Sequence, residues 1–253
     1  MKMHLLDGGR LRMRKSIFVP GAEREETIEL PVISTLFRHE KANVLFDTGC
    51  HPSVEHDAPA RWGGMAKLMV PIAPPKADVI SSLARLNLQP DDVDVVINSH
   101  LHPDHCGCNA FFRRASFICH EAEIAAASAE NSETRGYLAH EWQLPMPMNA
   151  VSGAHDVLGD SRLVTIPLPG HTAGSMGLRA GLDRDGEWLL ASDAVTLMRH
   201  LDNDEVPGNA WNAEQLLASY AEIRAIQAKG AQVLCGHDDA QWQRLKKGAD
   251  AYE

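Results

Sequence analysis

The chain has 253 residues, of which 44% are hydrophobic and 23% charged, and a formal charge of −10 at pH 7. That balance belongs to a globular protein long enough to bury a sizeable core, and its acidity argues against nucleic acid or an anionic membrane surface as the main partner. The first sixteen residues lack the unbroken apolar run of an export signal, no later run has the length of a membrane span, and five cysteines without regular spacing make no disulfide framework. A cytoplasmic location is expected.

In chain order, residues 3–6, 11–19, 30–38 and 43–46 read as short strands, paired antiparallel because the connections are too short for helical crossovers. The last of them runs into Asp47-Thr48-Gly49, where Asp47 is either a simple turn residue or an acceptor that orients a metal-binding imidazole. Residues 50–76 carry seven prolines and glycines that break any long helix, together with Trp62, Met65, Leu68, Met69 and Val70. A lid over an apolar substrate and a loop packed on its own core are both consistent with that segment. Residues 77–87 read as a helix, with Val79, Leu83 and Leu86 along one face, and 93–98 as a buried strand.

That strand delivers Ser99-His100-Leu101-His102-Pro103-Asp104-His105-Cys106-Gly107, in which three histidines and an aspartate fall within six residues. Imidazole and carboxylate are the ligands of zinc and similar divalent ions, and four so close together can supply most of the donors for two of them. Cys106 and Cys108 border the motif, but the His and Asp groups suffice, and both thiols are read as small buried residues.

Further on, 109–113 and 121–127 read as short helices and 116–119 as a strand. The segment 135–148, with Tyr137, Trp142 and two methionines, suits a pocket wall or a homodimer contact, with core packing as the plain alternative. A strand at 163–166 runs towards Gly170-His171, a strand at 187–192 ends at Asp193, and a strand at 232–235 runs into Gly236-His237. Between the last two, Asn212 to Gln215 resembles a capping box, followed by a helix with Leu216, Tyr220 and Ile223 on one face and Leu217 beside them. Four strands therefore each deliver one metal-type residue to one end: His100, His171, Asp193 and His237. The other eight histidines are read as surface or structural groups, His51 and His56 being the two near the Asp47 turn.

On these residues the chain resembles the metallo-β-lactamase superfamily, and within it the N-acyl homoserine lactone lactonases and related lactone hydrolases. The resemblance spans Asp47-Thr48-Gly49, the His100-x-His102-x-Asp104-His105 signature, and His171, Asp193 and His237 in order. It implies an α/β (α+β) class, a four-layer αββα sandwich forming one domain over 1–253, and two divalent ions, zinc first among them. It gives His100, His102 and His171 to one ion, Asp104, His105 and His237 to the other, and Asp193 to both. The implied activity is the opening of a small lactone by a hydroxide shared between the ions, with Asp104 passing a proton to the departing alkoxide. A mononuclear iron oxygenase acting on sulfur substrates, a glyoxalase II-like thioesterase and a non-catalytic metal-binding protein are the alternatives. The chain departs from the lactonases at Thr196, where they usually place a tyrosine that helps bind the substrate carbonyl, and His200 is the candidate replacement.

Overall fold

The computed structural model describes residues 1–253. One sheet contains β1 (Lys2–Arg14), β2 (Thr27–Arg38), β3 (Asn43–Phe46), β4 (Val70–Pro71), β5 (Val95–Ile97), β6 (Ser116–His120) and β7 (Met148–Val151), in the spatial order β4-β1-β2-β3-β5-β6-β7. The other contains β8 (His155–Asp156), β9 (Leu163–Pro167), β10 (Met176–Leu182), β11 (Gly186–Ser192) and β12 (Gln232–Cys235), in the order β12-β11-β10-β9-β8. The pairs β3-β5, β5-β6, β6-β7 and β11-β12 are parallel, and parallel neighbours need crossovers. α1 (Val54–Trp62) and α2 (Val79–Arg85) lie between β3 and β5, and α3 (Pro103–Cys106) follows β5. α4 (Glu121–Ser128) and α5 (Ala139–Trp142) join β6 to β7, α6 (Met198–Asn203) and α7 (Ala213–Gln227) join β11 to β12, and α8 (Asp239–Trp242) follows β12.

Strand alternation builds the layers, because successive side chains face opposite sides of a sheet. Leu5, Val44, Phe46, Ile97 and Ile118 point inward and meet Leu178, Leu190 and Leu234 of the second sheet in an 18-residue core. Their sequence neighbours Leu6, Leu45, Val96 and Phe117 point outward onto Val79 and Leu83 of α2. On the far side, Leu189, Ala191, Val233 and Cys235 pack under Leu216, Tyr220 and Ile223 of α7. The result is helix, sheet, sheet, helix, the αββα order expected. No helix is long and apolar enough to cross a membrane.

Several elements differ from the sequence reading. Residues 3–6 and 11–19 form one strand, β1, continuous through a bulge between Asp7 and Gly9 and ending at Arg14 in a short 3-10 turn. The segment 50–76 holds α1, broken at Asp57 and carrying Pro59, and a 3-10 turn, Gly63–Lys67. β10 was not expected, because Met-Gly-Leu-Arg-Ala-Gly-Leu has two glycines and no β-branched residue. Leu217 is 39% exposed, since the buried stripe of α7 is narrower than the apolar one. Only half of the expected capping box forms: the Asn212 side chain accepts from Gln215 N, while the Asn212 N–H donates to Gly170 O rather than to the Gln215 side chain. All five cysteines are free and buried.

The two segments flagged as pocket walls are joined by an ion pair. Arg61 of α1 donates from Nε to Glu141 Oε1 at 2.8 Å and from Nη2 to Oε2 at 2.5 Å, and Glu141 is almost wholly buried on α5. Beside it Trp62 sits in a cluster with Leu11, Val32, Val54 and Ala58, so α1 is held to the first sheet by apolar packing and to α5 by charge. Removing one member of such a pair strands the other without water. Arg61→Ala is expected to lower the unfolding free energy by about 3 kcal/mol in denaturant titration, and a loss below about 1 kcal/mol would mean that packing alone holds this wall.

Candidate metal centre

The Asp-Thr-Gly turn after β3 is where the site begins. Asp47 has φ +58, a left-handed backbone that short polar side chains tolerate best among non-glycine residues. Its Oδ1 accepts from Ser99 N at 2.7 Å, and its Oδ2 from Ser99 Oγ at 2.7 Å and His105 Nδ1 at 2.9 Å. Thr48 Oγ1 donates to Asn109 Oδ1 at 2.9 Å. Gly49, at φ +70, has no room for a side chain, since a Cβ there would lie 2.4 Å from Gly8 O. Asp47 and Thr48 thus fix the loop that follows β5, and Gly49 seats the turn against β1.

The rings are oriented from behind. His237 Nδ1 faces Pro31 O at 2.8 Å, His105 Nδ1 faces Asp47, and His100 Nδ1 lies 3.0 Å from Ser99 Oγ. In all three the other nitrogen, Nε2, is turned into the cluster. His102 is reversed: its Nε2 lies 2.9 Å from Arg135 O, a pure acceptor, so Nε2 carries the proton and Nδ1 offers its lone pair. His100 Nε2 and His171 Nε2 each lie 3.1 Å from that Nδ1.

Asp193, directly after β11, stands between two groups of donors. Its Oδ2 is 3.4 Å from His171 Nε2, while its Oδ1 is 2.9 Å from His237 Nε2 and 3.5 Å from His105 Nε2. Asp104 Oδ2 is 3.7 Å from both His105 Nε2 and His237 Nε2. All seven residues named from the sequence therefore come together, and the donor sets His100-His102-His171, His100-His105-Asp193 and Asp104-His105-His237 each gather within 4.8 Å. The metal-type residues read from the motif and from three later strand ends are gathered in one largely buried cluster.

A divalent cation suits this arrangement. Four donors about 2.1 Å from a tetrahedral zinc are about 3.4 Å apart, close to the separations just given. His105 Nε2 and Asp193 Oδ1 are buried and lack an aligned hydrogen-bond partner, the 2.9 Å approach of His237 notwithstanding. Such groups are costly unless something answers them. Burial and the neighbouring rings hold His100 well below the ordinary imidazole range, and burial brings His171 down to about 4. Burial also opposes charge on His105, but Asp104, Asp193 and Asp47 outweigh it and push the pKa up to about 10. Burial would raise the Asp193 carboxyl, yet His237, His171 and His105 keep it well below the usual range. Neutral rings await a cation on one side, and on the other a cation would displace a proton.

Other candidates lie elsewhere. Cys106 Sγ contacts Leu101 O and Cys108 Sγ contacts Cys50 O, so neither thiol faces the cluster. His51 is taken up by Ser53 Oγ at 2.8 Å, and His56 is exposed. Thr196 is fully buried with its hydroxyl unpartnered, and His200 is fully buried with Nε2 2.7 Å from Phe18 O. His200 is a structural residue, as read with the other histidines outside the donor set, and is not placed to replace the missing tyrosine. Two cavities flank His102, one of about 500 Å³ lined by Met13, Ile17, Met65, Leu68 and Met69, the other of about 240 Å³ lined by Tyr137, Ala173 and Trp211. His102, Arg135 and Asn209 line both. Trp211 and Asn209 went unread because neither belongs to a motif.

Asp47→Asn replaces one acceptor oxygen by a donor where Ser99 and His105 both donate, and is expected to weaken divalent-metal binding about 10–100-fold without unfolding the chain. Competition with a chromophoric chelator reads this directly, and unchanged affinity would remove Asp47 from the account.

The comparisons agree with this geometry. The pattern of the Metallo-beta-lactamase superfamily matches residues 27–237. The chain is 27% identical to the N-acyl homoserine lactonase AttM of Azorhizobium caulinodans, over 100% of this chain and 99% of that one. It is 28% identical to the N-acyl homoserine lactonase AiiB of Agrobacterium fabrum, over 99% and 98%. The fold superposes with a TM-score of 0.89, at 24% identity and over 99% and 98% of the two chains, on an N-acyl homoserine lactone hydrolase holding N-hexanoyl-L-homoserine at its catalytic metal center. A dizinc quorum-quenching lactonase, AidC, superposes with a TM-score of 0.71 at 14% identity, over 94% and 87%. Matched over most of its length and carrying a donor set fit for a divalent metal, the chain belongs to the metallo-beta-lactamase superfamily.

Proposed function

We propose that this chain, acting as one unit over 1–253, is a lactonase that hydrolyses a small lactone of the N-acyl homoserine type with two divalent ions, most simply zinc. His100, His102 and His171 would hold one ion, Asp104, His105 and His237 the other, and Asp193 both. The observation that carries the reading is Asp193 itself, whose two oxygens face two different sets of imidazoles in one buried cluster. The end-to-end similarity to N-acyl homoserine lactonases supports the substrate class.

When bound, the ions would activate water near neutral pH and draw charge from the ester carbonyl. The remaining work falls to the chain. His102, its tautomer fixed by Arg135 O, and His105, fixed by Asp47, keep their free nitrogens aimed into the groove through the reaction. Asp104 faces His105 and His237 with Oδ2, and its carboxylate would take the proton released by the attacking water and pass it to the alkoxide formed when the ring C–O bond breaks. Because three residues line both cavities, one molecule can place its ring in the smaller and its acyl chain in the larger, whose methionines adapt to chains of different length.

The test is a panel of N-acyl homoserine lactones and simple aliphatic lactones, followed by the acid formed. Zinc-loaded protein is expected to open acylated lactones, chelated protein to be inactive, and zinc to restore it. Asp193→Ala and His105→Ala are expected to lose metal and at least about a thousandfold in kcat, a barrier rise near 4 kcal/mol. Activity that survives chelation, or a single iron per chain with no ring opening, would overturn the reading.

A further inference from the structure

Two glutamates away from the cluster are almost wholly buried, Glu141 and Glu123. Glu141 is answered by Arg61. Glu123, 0% exposed, is answered instead by two backbone amides: Oε1 accepts from Leu101 N at 3.0 Å and Oε2 from Gly174 N at 3.1 Å. Leu101 lies between His100 and His102, and Gly174 lies three residues past His171. One carboxylate therefore spans the two loops that carry the three imidazoles of one donor set. The loop after β9 lies flush on α4, for a Cβ on Gly174 would fall 2.1 Å from Glu123 N and 2.6 Å from its Cβ. α4 is set in turn by β6, the parallel neighbour of β5, and is capped by His120, whose Nδ1 accepts from Ala122 N at 3.2 Å.

We propose that Glu123 is a positioning residue for the ion on the three-histidine side, fixing the His100-His102 loop against the His171 loop without touching metal or substrate. The proposal rests on the metal reading given above. It is selective, because His105 and His237 are oriented by Asp47 and Pro31 O and make no bond to Glu123. A carboxylate is also chemically specific here. Both bonds need an acceptor, and an amide in its place would turn an NH₂ towards one of the two N–H groups.

The experiment titrates metal-free protein with zinc alone against a chromophoric chelator, for wild type and Glu123→Gln. Wild type is expected to bind two ions tightly. The variant should keep one and bind the other about 10–100-fold more weakly, with the melting temperature of the metal-free protein unchanged within a few degrees. In a double-mutant cycle the loss should be non-additive with His171→Ala and additive with His237→Ala. Two ions bound with wild-type affinity, or both weakened equally, would overturn the proposal. If wild type itself binds no zinc, the metal reading fails instead, a distinguishable result. Should Glu123→Gln not fold, Glu123→Asp keeps the acceptor pair one methylene short, and the same outcomes decide.

Discussion

The structure depends on a crowd of nitrogen and oxygen donors placed where water cannot reach them. Asp193 is central to it, buried after β11 with its two oxygens turned towards different rings. A carboxylate in that position is tolerable only if positive charge meets it from both sides. Asp193 and its neighbours raise the pKa values of His105 and His237 against the burial that opposes charge there, so the cluster favours cationic partners for the carboxylate. A pair of divalent ions would supply that charge with donors already in place, and the two-ion reading rests on that exchange.

The fold provides the rigidity that such crowding needs. Parallel strands β3, β5 and β6 end side by side, and antiparallel and parallel pairings bring β9, β11 and β12 to the same edge from the second sheet. The turns beyond those ends are bonded to one another through groups that point away from the groove. Asp47 ties the turn after β3 to the loop after β5, and Glu123 ties that loop to the one after β9. The walls of the cavities beside His102 hang on a different anchor, the Arg61–Glu141 pair. The two sets of contacts meet at His102, whose Nε2 faces Arg135 O while both residues line both cavities.

Much of this was legible in the amino-acid sequence, for physical reasons that vary along the chain. The His100 to His105 stretch is readable because its donors are contiguous, and His171, Asp193 and His237 because each follows a strand of strong alternating or apolar pattern. The layer order came with the family resemblance, and strand alternation then bears it out residue by residue. What stayed hidden are groups defined by a partner far off in sequence. Glu123 looks like an ordinary acidic residue in the first turn of a helix until Leu101 and Gly174 are seen to donate to it. His200 offered a substitute for the tyrosine missing at Thr196 beside its plainer structural reading, and its contact with Phe18 O supports the structural one. The Gly8-Gly9 pair read as a break between strands and is instead a bulge that lets one strand continue.

In the proposed arrangement these seven side chains hold two ions with Asp193 between them. Anomalous scattering from crystals of the zinc-loaded protein tests it without recourse to activity. Two peaks are expected ~3.5–4 Å apart, one beside His100, His102 and His171, the other beside Asp104, His105 and His237, with Asp193 in contact with both. A single peak, or peaks away from Asp193, would contradict it.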